Sequence, residues 1–293
     1  MIKETTTLDV GIYEPIYLEG QKISQKNFIP YAHTSNKEFA HWREFRLHVD
    51  MYRKRIFEKH ALAGLFSPKF ELKTKLTGLE FANFCTKNAD ADVVFINPFP
   101  HLAYMSFNIW MQAEANHAGI VEIASSLLFD AGIDLQINTE ERHDHSVLAY
   151  SSFWCGNDKF WHAYVGKILE PLALYVENHP ESPSVKAALQ ETFHTDPSPY
   201  LPFITERLFT TFIAQQADLK KCHYPLNPIA YCFNQSDIDL VTSNREIVDQ
   251  ADRLKNHSAS MKEGMQSFCN QAIIDAKEYF KLNKHPHTGR PII

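Results

Sequence analysis

Several features that would announce a function by themselves are missing from this chain. No apolar run approaches the ~18 residues of a membrane-spanning helix, and the opening MIKETTTLDVGIYEP lacks the continuous apolar stretch of a secretory signal. Any association with a membrane is therefore expected to be peripheral. Cysteine is scarce: five in 293 residues, odd in number, widely spaced and without a CxxC pair. That argues against a disulfide framework and a structural zinc site, and a reducing cytoplasm is the expected setting. Positive charge is not concentrated either. Lys and Arg total 29 against 35 Asp and Glu, a net charge of −6, and no basic block is longer than a few residues. A footprint for a phosphate backbone is absent, which argues against nucleic acid as a partner. GxSxG, SxxK, Walker and HExxH patterns do not occur, so the common hydrolase and P-loop readings have no anchor.

Aromatic residues are abundant, with 21 Phe, 12 Tyr and 4 Trp. Strand-like and helix-like segments alternate. LDVGIY (8–13), ALAGLFSPKF (61–70), ADVVFINPF (91–99), IDLQIN (133–138) and SVLAYSSFWCG (146–156) read as strands. Between them lie helical patterns. Ser35 with Glu38 and Thr77 with Glu80 have capping-box spacing, NIWMQAEANHAGIVEIASSLLFDAG has helical period with a break near Gly119, and Ser182–Pro183 opens a further helix. Pro171 marks a kink or boundary in DKFWHAYVGKILEPLALYVEN. This alternation predicts an α/β domain with a mainly parallel or mixed sheet over residues 1–242. From about residue 243 the stripes are helical only, which predicts a helical extension over 243–293 serving as an appendage or a homodimer contact.

Ligands of open α/β sheets bind beyond the carboxyl ends of the strands. FINPFPHL is thus a candidate binding loop in which the prolines fix the backbone and present Asn97 and His101, although prolines also simply end edge strands. Asp90 and Asp92 have the D-x-D spacing that holds Mg²⁺ or Mn²⁺ against a diphosphate, or else form a solvated loop entering the strand. Glu114 and His117 lie three apart and could share a helix face toward a ligand or form a surface pair. Glu206 in FITERLF is a candidate general base, expected where a helix begins, or else part of an exposed Glu–Arg face of an amphipathic helix. Arg207 and Lys69 are candidate counter-charges for a phosphate. Tyr104, Trp110, Phe153 and Trp154 could stack on sugar or base rings, or pack in the core.

The series FIPYAHTSN, ALAGLFSPKFELKT, DVVFINPF, NIWMQAEANH, SSFWCGNDKFWHAYV and LPFITERLFTTFI, spanning about residues 28–215, resembles bacterial glycosyltransferases of capsule, O-antigen and lipooligosaccharide loci. It is also distantly similar to galactofuranosyltransferase-type polysaccharide synthesis proteins. The resemblance implies a GT-A-like, Rossmann-like fold and a cytoplasmic enzyme at the inner membrane. It also implies a nucleotide-diphosphate sugar donor, a saccharide acceptor and a Mg²⁺ or Mn²⁺ ion. In that comparison Glu206 matches the acidic residue opening the acceptor-side helix, and the DVVFINP loop lies near the donor. The chain departs from the pattern in two places: the aspartates precede the strand instead of following it, and the helix carries Glu206–Arg207 in place of an acidic pair. A non-catalytic module of polysaccharide assembly, binding glycan or a partner enzyme, is the alternative.

Overall fold

The computed structural model describes residues 9–32, 41–192 and 198–287. In chain order the elements begin with β1 (Val10–Ile16), β2 (Ile29–Ala32), α1 (Glu44–Arg53), β3 (Leu62–Leu65), α2 (Phe70–Thr74), α3 (Gly78–Lys87) and β4 (Val93–Phe95). Next come α4 (Ile109–Asn116), α5 (Ile120–Asp130), β5 (Trp154–Gly156) and α6 (Asp158–Trp161), which runs through a π-helix (His162–Leu169) into α7 (Glu170–Asn178). The chain continues with α8 (Pro183–Ala188), β6 (Glu191–Thr192), β7 (Ser198–Pro199), α9 (Tyr200–Gln215), β8 (Lys221–His223), α10 (Gln235–Leu254) and α11 (Ala259–Leu282). The α/β class and mixed sheet expected from the pattern are present.

The six-stranded sheet has the order β2-β1-β3-β5-β4-β8, and β5 runs antiparallel to both neighbours while the other pairs are parallel. Its strands read as continuous apolar runs because both faces are covered. Val93 and Phe95 enter the core on one face, with helices α1, α5, α7 and α9, whereas Val94 and Ile96 enter the core on the other, with Phe66, Phe70, Phe81 and Phe153. The two-residue period of a strand does the sorting. Those four phenylalanines are at most 1% exposed, and each stabilises the fold by about 1.5–3 kcal/mol through burial.

Local signals account for most boundaries. Thr77 and Glu80 form the capping box that starts α3, Asn108 accepts from the backbone N–H groups of Trp110 and Met111 at the start of α4, and Gly119, at φ +83°, separates α4 from α5. Pro171 sits where the π-helix becomes α7: it has no N–H to offer Lys167 four residues back, which favours a change of helical type there. The proposed capping box Ser35–Glu38 lies outside the described residues; the helix that follows it begins at Glu44. Two expected strands fail. Residues 133–138 form no strand, and the run 146–156 is extended in a ladder only at Trp154–Gly156, because Ser151 and Ser152 adopt left-handed conformations (φ 67° and 53°) that no ladder accommodates.

Position 242, the expected domain boundary, falls inside α10. The C-terminal helices are folded onto the body: Val241, Val248, Met265, Cys269 and Ala272 pack with Tyr104, Met105, Phe107 and Met111. Arg142 fastens them. Its guanidinium donates twice to Asp252 of α10 (3.0 Å each) and also to the carbonyls of Ala103, Ser106 and Phe107. Part of the apolar stripe is covered in this way, while Ile247 and Leu254 of α10 and Ile274 and Leu282 of α11 remain exposed.

Candidate functional site

The chain leaves β1 outward to β2 and returns to β3 on the opposite side of β1. Loops after β1 and β3 therefore diverge and open a crevice at the carboxyl edge of the sheet. A cavity of about 1040 Å³ occupies it. Its walls include Tyr17 and Leu18 after β1, Ser67, Pro68 and Lys69 after β3, Phe99 and His101 after β4, and Tyr150, Ser151 and Ser152 ahead of antiparallel β5. From the C-terminal part, Phe233, Phe280, His285 and His287 complete the enclosure, with His287 packed 5.3 Å from the Phe99 ring and Phe280 4.6 Å from His285. Tail and sheet thus build one site.

Two cations in this cavity lack a carboxylate at hydrogen-bonding distance among the described residues. Lys73, half-buried and facing the cavity, donates to the Ser151 hydroxyl (2.8 Å) and lies 5.8 Å from the Phe99 ring. Burial pushes its ammonium below the ordinary range, Glu206 and Glu44 pull it back up, and Lys69 and Arg43 push it down again. Arg207 is 3% exposed. It donates to the Phe203 carbonyl (2.9 Å) and to Gln112 Oε1 (2.8 Å), its Nε has no partner, and the nearest recorded carboxylate oxygen is that of Glu206 at 3.8 Å. Burial lowers its pKa too. A charge removed from water and given only neutral partners is costly, and such groups mark places where a counter-charge arrives from outside.

Acceptors accompany the cations. His48 makes a hydrogen bond through Nδ1 to the Glu44 carbonyl (2.9 Å), so that nitrogen carries the proton and the buried Nε2 is a bare acceptor with no partner. Burial brings His48 down to about 4 and His101 to about 3, and His101 Nδ1 is also unpartnered. Both rings are neutral at pH 7. Strain gathers here as well. Of the six described non-glycine residues with positive φ, Arg43, Ser151 and Ser152 line the cavity, the kind of conformation that persists where surrounding structure enforces it.

The candidates read from sequence divide as follows. His101, Lys69, His117, Glu206, Arg207 and Trp154 line the cavity. Glu206 is not at a helix start: it is the seventh residue of α9, side chain 30% exposed. Trp154 is 1% exposed and packed between His48 and Phe209, and Trp110 is fully buried with its indole N–H bonded to Thr211 (2.9 Å), so both serve packing before any ligand. Phe153 is likewise core. Asn97 closes its own turn with the backbone of Phe99 and, with Tyr104, lines a smaller, separate cavity of about 200 Å³. Glu114 does not pair with His117; it accepts from the backbone N–H groups of Gly119 and Val121 and caps α5, while His117 stacks on Phe203 at 4.1 Å.

The aspartates do not fit a metal beside this cavity. They precede β4, at the edge of the sheet opposite His101. Asp92 Oδ1 accepts from Asn157 (3.0 Å), and Oδ2 accepts from Lys159 (3.1 Å) and the Lys220 backbone N–H (3.0 Å). Burial would raise its pKa, but these bonds outweigh it and hold the carboxyl below its ordinary range. Asp90 is exposed and faces Lys220 at 3.8 Å. Asp92 is engaged within the fold, and Asp90 is a solvated surface carboxylate. Among the described residues the one set of three ligand-type side chains close enough to share an ion is Glu58, Asp158 and His162, exposed and outside the cavity lining.

Sequence reading overlooked Lys73, His48, Gln112, the serine pair and the tail aromatics. Lys73 had a signal: it follows Lys69 by four residues directly after a strand, a spacing that sets two cations along one side of a helical turn. Compared with known proteins, the chain matches no family model, no curated protein and no solved structure. Among the described residues no helix is long and apolar enough to cross a membrane.

Proposed function

We propose that this chain is a GT-A-like glycosyltransferase that takes a sugar from a nucleoside-diphosphate donor and passes it to a hydroxyl of a saccharide acceptor in cell-surface polysaccharide assembly, working in the cytoplasm at the membrane face. The observation that carries the reading is the placement of Lys73 and Arg207, two enclosed cations whose hydrogen bonds go to neutral groups, in a large cavity at the carboxyl edge of a mixed α/β sheet. Such a cavity suits a ligand that is anionic at one end and rich in hydroxyls at the other. Its volume, about 1040 Å³, is at the upper end of the usual range for small-molecule sites, about 300–1,000 Å³, and leaves room for a donor with part of an acceptor. Phe99, Phe203, Phe233 and Tyr150 offer ring faces for a base or sugar.

In this mechanism Glu206 accepts the proton of the acceptor hydroxyl as the new C–O bond forms, and the bond between the anomeric carbon and the diphosphate breaks with its electron pair leaving on the phosphate oxygen. Lys73 and Arg207 flank Glu206 electrostatically, so the negative charge that builds on the leaving group meets fixed positive charge without reorganisation. The neutral rings of His48 and His101 border the cavity and help to shape the space in which the donor is oriented. A thermal-shift and turnover screen of the full chain with nucleotide sugars tests the reading. A donor that raises the unfolding midpoint and is consumed in the presence of saccharide acceptors is expected; a panel in which none binds and none is consumed would sink it.

A further inference from the structure

We infer that the diphosphate of the donor is held by the chain's own cations, Lys73 and Arg207 from within and Lys69 at the rim, with no divalent ion bridging it to protein carboxylates. The inference rests on the proposed nucleoside-diphosphate donor and narrows how that donor is bound.

A Mg²⁺ or Mn²⁺ ion on a diphosphate is usually held by one or two carboxylates together with phosphate oxygens and waters, so what decides the matter is whether the carboxylates beside the diphosphate are open to a cation. Among the described residues the cavity's carboxylates stand beside cations: Glu206 lies 3.8 Å from Arg207, and both Glu206 and Glu44 act on Lys73. Glu44, Glu206 and Asp237 line the cavity, yet no set of three ligand-type side chains within reach of one ion occurs there among the described residues. Asp237 is 3% exposed and already accepts from the Phe233 backbone N–H (3.1 Å). The D-x-D pair is at the opposite sheet edge with both Asp92 oxygens engaged.

Charge points the same way. A dication placed beside Glu206 would sit next to Lys73 and Arg207, whose repulsion opposes it, whereas a diphosphate is drawn by both. The two cations are also geometrically distinct. Lys73 is a compact ammonium tethered to Ser151, and Arg207 offers a guanidinium whose Nε–H is unclaimed.

Titration calorimetry of the full-length chain with inorganic pyrophosphate and with uridine, guanosine and cytidine diphosphates, each in EDTA and in Mg²⁺, decides the matter. Binding should occur in EDTA and be insensitive to Mg²⁺. It should weaken about thirtyfold or more in Lys73→Met or Arg207→Met, the usual consequence of removing one partner of an enclosed charge pair. Lys69→Ala, at an exposed position, provides a variant whose folding is not at issue and should weaken binding by a smaller factor. Binding that requires Mg²⁺, or binding in EDTA indifferent to all three substitutions, overturns the inference while leaving a transferase reading intact. Pyrophosphate bound through these cations with every nucleoside diphosphate refused supports the cation site and removes the proposed donor. No binding in any condition removes both.

Discussion

Two buried arginines in this protein should respond to the same substitution to very different degrees. Arg142 and Arg207 are 8% and 3% exposed, yet their partners differ in kind. Arg142 spends its donors on the carboxylate of Asp252 and on three backbone carbonyls. Arg142→Met therefore leaves the mostly buried Asp252 carboxylate with only His257 Nε2 (3.1 Å) beside it, leaves those carbonyls short of a donor and unfastens α10; breaking a buried pair in this way costs about 3–5 kcal/mol. Arg207 hydrogen-bonds only to Gln112 and to the Phe203 carbonyl, which lies within helix α9, its Nε is unpaired, and its one carboxylate neighbour is the partly exposed Glu206 at 3.8 Å. In Arg207→Met, relief from a desolvated charge offsets the loss of two neutral hydrogen bonds, for a net change within about 1 kcal/mol of either sign. Urea unfolding followed by tryptophan fluorescence measures both. If Arg207→Met proves as damaging as Arg142→Met, Arg207 is a structural residue and the anion-binding argument built on it fails.

Other consequences follow from the same geometry. Glu206→Gln should lower turnover by about 10²–10⁴-fold, as for loss of a general base, while its unfolding midpoint stays at the wild-type value; unaltered turnover would show that the proton goes elsewhere. Asp92→Asn should cost about 1–3 kcal/mol, the worth of hydrogen bonds to a charged group, without weakening ligand binding. Because the folded-state pKa of Asp92 is depressed, its contribution is present above the unfolded carboxyl value of about 3.9 and disappears as pH falls through the lower folded value. Wild-type and Asp92→Asn stabilities should accordingly converge in acid, and a gap that persists there would contradict the assignment. Ser152→Gly, which relieves a left-handed serine, should raise stability by up to about 1 kcal/mol and weaken ligand binding as the cavity wall loosens. A destabilised Ser152→Gly would mean that its side chain is required where it stands.

Much of the fold was legible because its signals are local. The capping box at Thr77–Glu80, the break at Gly119, the boundary at Pro171 and the apolar runs of β1, β3 and β4 each depend on residues within a few positions of one another. Even the separation of Asp92 from Asn97 was implicit, since five residues of extended chain span about 16 Å and place a motif before the strand and a loop after it at opposite edges. The run 146–156 misled for the same reason: its composition suits a strand, but the left-handed backbone at Ser151 and Ser152 is held by surroundings distant in sequence.

The amino-acid order alone determined an α/β layering with both sheet faces covered, because periodicity and capping act over one or two turns of chain. Only the tertiary structure decided which polar side chains meet. It brought Lys73, His48 and Ser151 to the cavity with Glu206 and Arg207, set Asp92 to tying strands together, turned Glu114 to a helix cap and folded the C-terminal aromatics over the sheet edge. The sense in which β3 returns across β1 made these choices, and strand order is a property of contacts between distant residues that no local pattern encodes.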